Sequence, residues 1–180
     1  MSCALLIQPV VASLAYGMNI ATTVFIGTAL GARKVADAQT IAKASILMSF
    51  FGNFFIAVLL ILFRRQIGGL FSQDSLVLNL FPQTIIALAI FNVCESLQIT
   101  AQGIMKSMGR QDEATKLAII AQDLIGVPLA YLFGILMFAS ASGLIYGLTI
   151  GYVILFILQM RFLIKQDWEK ISKEVADSQE

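Results

Sequence analysis

The chain has 180 residues, 58% hydrophobic and 13% charged, with a formal net charge of +1, no His and a mean hydropathy of +0.85. Soluble domains carry about 25% charged residues, so the composition is that of a protein embedded in a lipid bilayer. The dispersed basic residues exclude a nucleic-acid groove, and the lack of His or of a Cys pair at ligand spacing excludes the usual hydrolase and zinc chemistries.

Charges and breakers divide the chain into five apolar spans, each long enough for the roughly 20 residues needed to cross a hydrocarbon core about 30 Å thick. They are expected at about residues 5–30, 44–63, 81–106, 117–138 and 144–164. The transmembrane region is thus 1–165, with a polar tail at 166–180. The fold class is all-α and polytopic. The amino end lacks a basic leader and its apolar run is about twice the length of a signal core, so it reads as a membrane helix. Cys3 and Cys94 lie in apolar runs, where thiols act as small hydrophobes, and no disulfide, metal site or cofactor is expected.

The first span has no charge before Arg33. Its polar residues Gln8, Tyr16, Asn19 and Thr23 share an arc of about 80° on a helix, which suits either packing through hydrogen-bonding side chains or the lining of a solute path. Tyr16, Asn19 and Thr23 are therefore candidate cavity-lining residues. Gly27 and Gly31, four apart, predict close packing against a neighbour in the same chain, and Gly31 is a candidate helix end. The second span is free of charge from Ala44 to Phe63; Ser45, Ser49, Gly52 and Asn53 form its small polar face, with the Phe-rich remainder toward lipid. Gly68, Gly69 and Asp74 then supply turn chemistry.

The third span carries the residue of greatest interest. Glu95 is the sole charge between Asp74 and Lys106. On a helix, Asn92, Glu95, Gln98, Gln102 and Lys106 fall within about 60° of one direction, a polar seam on an apolar rod. An ionisable group at membrane depth costs several kcal/mol unless it faces water or a partner, so function is the default reading. Glu95, Gln98, Gln102 and Asn92 are the candidate binding residues for a coupling ion or substrate. A structural role locking two helices together is the competing reading.

Leu117 to Met160 is too long for one crossing and holds one charge, Asp123. Ala139-Ser140-Ala141-Ser142-Gly143 is the expected break. Asp123 lies beside Gly126 and Pro128, a potential kink, and is a further candidate for the cavity wall or for the interface. Gly143, Gly147 and Gly151 make an i, i+4, i+8 row that predicts a groove for close helix contact. The tail is expected to be a short amphipathic or disordered extension, with Trp168 at the membrane boundary.

Five crossings place ten of the twelve Lys and Arg residues on one side and only Arg64 and Arg65 on the other. That asymmetry predicts a cytoplasmic carboxy terminus. Met1 then falls on the far side, which is simplest to explain if at least one upstream helix is missing from this chain.

The order of short motifs resembles a known family. Leu30-Gly31-Ala32 precedes a basic turn and Ala36, followed by Phe71 and Asp74, then by Glu95, Gln102-Gly103 and Gly109-Arg110-Gln111. Gly126-Val127-Pro128, Gly143-Leu144 with Gly147-Leu148, and Asp167-Trp168-Glu169 complete the series. The sequence is similar, from about Leu6 to Ala176, to the carboxy-terminal half of the multidrug and toxic compound extrusion (MATE) transporters, the eukaryotic type in particular. The resemblance implies helices eight to twelve of a twelve-helix protein, most of one of its two six-helix lobes. It implies export of small organic, often cationic, solutes across a lipid bilayer in exchange for protons or sodium ions. The acidic residue of the family's tenth helix maps onto Glu95. Two departures stand out: Gln122 and Asp123 replace an aromatic pair, and Ile145 replaces a tryptophan.

On this reading Glu95 alternates between a coupling ion, proton or sodium, and a cationic solute, and competition for one site couples the two fluxes. Transport then requires the missing amino-terminal lobe or an oligomeric partner. The alternative is a non-transporting membrane anchor or assembly subunit in which Glu95 pairs with a basic residue of a partner. An intramembrane enzyme ranks last, because nothing in the sequence places Asp123 beside Glu95.

Overall fold

Apolar runs with no water to satisfy their backbone must bond internally, and all five do so as helices. The computed structural model describes residues 2–64, 66, 75–137 and 141–177, with side chains for 8–64, 66, 84–137 and 142–177. The described elements are α1 (Ser2–Gly31), α2 (Val35–Leu62), α3 (Ser75–Ser107), α4 (Gln111–Met137), α5 (Ala141–Ile164) and α6 (Trp168–Asp177). The first five are long and apolar enough to cross a membrane. The turn residues expected at Gly68, Gly69 and Asp74, and the start of the break at Ala139-Ser140, lie outside the described residues.

α3 is the central rod. It packs against α1, α2 and α5, and α4 joins the bundle mainly by lying along α5. The helices α2 and α4 start earlier than their charge-free windows, at Val35 and Gln111. Their opening turns carry Asp37 and Asp112 with Glu113, acids that complement the positive end of the helix dipole.

Two identical backbone devices turn the chain at one end of the bundle. After α1, the amide of Arg33 donates to Leu30 O (3.0 Å) and that of Lys34 to Ala29 O (2.9 Å). After α3, Gly109 donates to Lys106 O (3.0 Å) and Arg110 to Met105 O (3.0 Å). Both are the paired bonds of a Schellman cap, with the left-handed residue at Arg33 and Gly109. Gly31 is the last helical residue of α1, but Arg33 makes the turn.

The expected packing role of the Gly27–Gly31 pair does not hold for Gly27, where a Cβ would meet nothing within 4 Å. The close approach on α1 comes instead where Asn19 presses on Gly103 of α3, with Asn19 O 3.0 Å from a Cβ built there. The row on α5 does form a groove. A Cβ on Gly151 would sit 2.8 Å from the Cα of Gly126, one on Gly143 would sit 2.5 Å from Phe133 O, and one on Gly147 would overlap the backbone of Ala130. α4 is wound with the wider π register through Ile119–Gly126 and Leu132–Met137, on either side of Val127–Tyr131. The Val127 amide reaches back five residues to Gln122 O, just ahead of Pro128, which has no amide to donate.

The tail forms the amphipathic helix α6, folded back onto the bundle. Its Ile171 is buried with Ile26, Leu30, Ile104, Met105 and Leu163 in the core cluster at this end, and Trp168 and Val175 pack against it. Ser172 donates to Leu30 O (2.8 Å), and Glu174 and Asp177 meet Arg110 (3.0 Å) and Arg33 (3.4 Å).

Candidate functional site

Helical winding brings Asn92, Glu95 and Gln98 to one side of α3, and all three are buried. Gln102 is half-buried and Lys106 exposed, so the seam opens toward the end of the helix that α6 covers. The neighbours divide the seam. Asn92 turns to α2, donating to Asn53 Oδ1 at 3.3 Å, while Asn53 donates to Ser49 O at 2.9 Å. Around them Ser49 donates to Ser96 O (3.2 Å) and Thr100 to Ser49 Oγ (2.9 Å), closing a buried polar network between α2 and α3. The small polar face expected on α2 is thus in place, with Phe51, Phe54 and Phe55 exposed on the other side.

Glu95 turns to α1 and is 6% exposed, the one charged side chain that is buried among the described residues. Nε2 of Gln8 donates to both carboxylate oxygens, at 3.4 and 3.3 Å. On the remaining flank Tyr152 of α5 lies within electrostatic reach of Glu95 and of Tyr16, and its ring meets Phe91 edge to face at 5.2 Å. No Lys or Arg is paired with Glu95 among the described residues, and no cluster of three metal-ligating side chains is found among them. A lone carboxylate among neutral oxygen and nitrogen donors can hold a proton, a hard cation or an organic cation in turn.

The polar arc on α1 also divides. Asn19 donates to Ile99 O and Thr23 to Gly103 O (3.2 Å), fastening α1 to the backbone of α3. Tyr16 is 57% exposed on the flank near Tyr152. Asp123 is exposed, on the π-wound part of α4 that packs along α5. Sequence reasoning noted Gln8 as part of an arc without pairing it to Glu95, and it missed Tyr152. The pairing joins positions 87 apart, which no local periodicity reveals. For Tyr152 the one sequence signal was its place beside Gly151, in the row that brings α5 into close contact.

Comparison with known proteins points one way. The MatE family model matches residues 1–132. Human "Multidrug and toxin extrusion protein 1" is 27% identical over 162 residues, covering 88% of this chain and 28% of that protein. "Probable multidrug resistance protein NorM" of Bacillus subtilis (strain 168) is 30% identical over 157 residues, covering 83% of this chain and 35% of that one. The chain therefore spans about a third of the length of these relatives. The crystal structure of the eukaryotic MATE transporter AtDTX14 superposes with a TM-score of 0.90 at 20% identity, over 98% of this chain and 40% of that one. With five apolar helices in the same arrangement and a match over most of its length, the chain belongs to the MatE family.

Proposed function

We propose that the chain is the carboxy-terminal part, helices eight to twelve, of a cation-coupled exporter of eukaryotic type for organic, often cationic, compounds. The observation that carries this reading is Glu95: one acid buried on α3 where α1 and α5 could have met it with apolar side chains, with no basic partner among the described residues. Burying an unpaired ionisable group is costly and contributes nothing to packing, so the site is built for a ligand that comes and goes. The relatives' names, which speak of multidrug and toxin extrusion, agree in substrate class.

The carboxylate takes a proton or a sodium ion from one side of the membrane and an organic cation from the other. Rocking of this lobe against a second lobe exposes the site to each side in turn, and because the two ligands exclude each other their movements are exchanged one for the other. Gln98 and Gln102 continue the polar wall along α3, Asn92 lies on its side turned to α2, and Tyr16, Asn19, Thr23 and Asp123 are cavity candidates. On this reading the carboxy terminus lies in the cytoplasm, which the placement of ten of twelve basic residues on one side supports.

The test uses the longest native chain that contains this sequence, reconstituted in vesicles. An imposed proton or sodium gradient should drive tetraphenylphosphonium transport, and Glu95→Gln should lower it by at least about tenfold with membrane insertion intact. Wild-type transport by Glu95→Gln would overturn the assignment.

A further inference from the structure

We infer that Gln8 is a positioning residue for Glu95: its amide, reaching from α1 to α3, holds the carboxylate in the orientation that receives the cation. The inference rests on the exporter reading above and deepens it. One nitrogen of Gln8 contacts both carboxylate oxygens, at 3.4 and 3.3 Å, which directs the carboxylate's two-oxygen edge toward α1.

The choice of an amide suits a site that changes occupant. An ionised carboxylate accepts from the Gln8 NH2 group, and a protonated one can instead donate its O–H to the amide oxygen once the amide turns over. A Lys or Arg at this position would hold the carboxylate permanently and compete with the arriving cation. A hydrocarbon would leave it unsupported. Among the described residues the ionisable groups of the surroundings are Tyr152 on α5, Tyr16 on α1 and the neighbouring Cys94 on α3, none of them a cation.

Gln8 is also not the only fastening between the two helices. Asn19 and Thr23 already tie α1 to the backbone of α3, and Asn19 packs against Gly103 between them. Among the described residues, what Gln8 adds is directed at the carboxylate.

A double-mutant cycle on tetraphenylphosphonium binding to the purified full-length chain tests this. Gln8→Met keeps the side chain's length and removes its donor. It should raise Kd about tenfold beside Glu95, and less than about twofold in a Glu95→Gln background, where there is no carboxylate left to position. Gln8→Asn, with its amide one methylene further away, should raise Kd about threefold beside Glu95 and leave it unchanged in Glu95→Gln; it serves if the Met variant does not fold. Equal losses in both backgrounds would show a packing role and overturn the inference, as would an unchanged Kd for Gln8→Met beside Glu95. If Glu95→Gln weakens binding while Gln8→Met does not, only this inference fails. A wild-type Kd for Glu95→Gln itself would overturn the exporter reading and the Gln8 assignment together.

Discussion

Arg33 occupies a left-handed backbone position, φ 58°, at the cap of α1, where its counterpart at the cap of α3 is Gly109 at φ 71°. That conformation costs a residue with a Cβ roughly 1 kcal/mol or more, which the exposed pair with Asp177 offsets only in part, since such pairs contribute about 0–1 kcal/mol. Arg33→Gly is therefore expected to stabilise the protein by up to about 1 kcal/mol, read as a higher midpoint of thermal unfolding in detergent. Asn53 presents the opposite case. It is fully buried, and its Oδ1 accepts from Asn92. Asn92→Ala would strand that oxygen, with an expected loss of about 1–3 kcal/mol in the same assay. At this scale the sequence reads well for what is polar and poorly for whom it meets. Periodicity placed Asn92 and Glu95 on one seam, but it carries no information on whether α1 or α2 lies over each position, so the division of the seam was invisible.

Between elements, close approach decides which substitutions the bundle tolerates. A methyl group at Gly147 would overlap the Ala130 backbone, which cannot move as a side chain can, whereas one at Gly17 would meet nothing within 4 Å. Gly147→Ala should destabilise by about 1–3 kcal/mol or prise α4 from α5, while Gly17→Ala should be neutral or slightly stabilising; thermal unfolding of the two variants side by side checks the contrast. The tail is held by packing more than by charge. Ile171 is 2% exposed, so Ile171→Ala is expected to cost about 2–5 kcal/mol if α6 unfolds with the bundle, and to release α6 to proteolysis if it does not. The five spans were legible from the lengths of the apolar runs, and the α5 groove from three glycines recurring at i, i+4 and i+8, a longer row than the Gly27–Gly31 pair, which misleads at Gly27. The π winding of α4 was not, since Gly126 and Pro128 announce a disturbed hydrogen-bond ladder without saying how it is resolved. Nor was the docking of α6, whose apolar positions fix a face but not the surface that receives it.

Across the whole molecule, α1, α2 and α5 all pack on α3, and α3 holds the one buried acid among the described residues where α1 and α5 both approach. An anchor could be built from the same five helices with a leucine at that place. An exchanger could not, because exchange requires a group whose occupancy by one ligand excludes the other. Such competition is reciprocal: a cation that displaces a proton or a sodium ion must bind more weakly as that ion's concentration rises. The most direct measurement is ion release on ligand binding, made with the purified full-length chain in weakly buffered detergent solution. Saturating tetraphenylphosphonium should release about one proton or one sodium ion per chain from the wild type and none from Glu95→Gln. Binding of the cation by the wild-type protein with no ion released, or equal release from Glu95→Gln, would contradict the account.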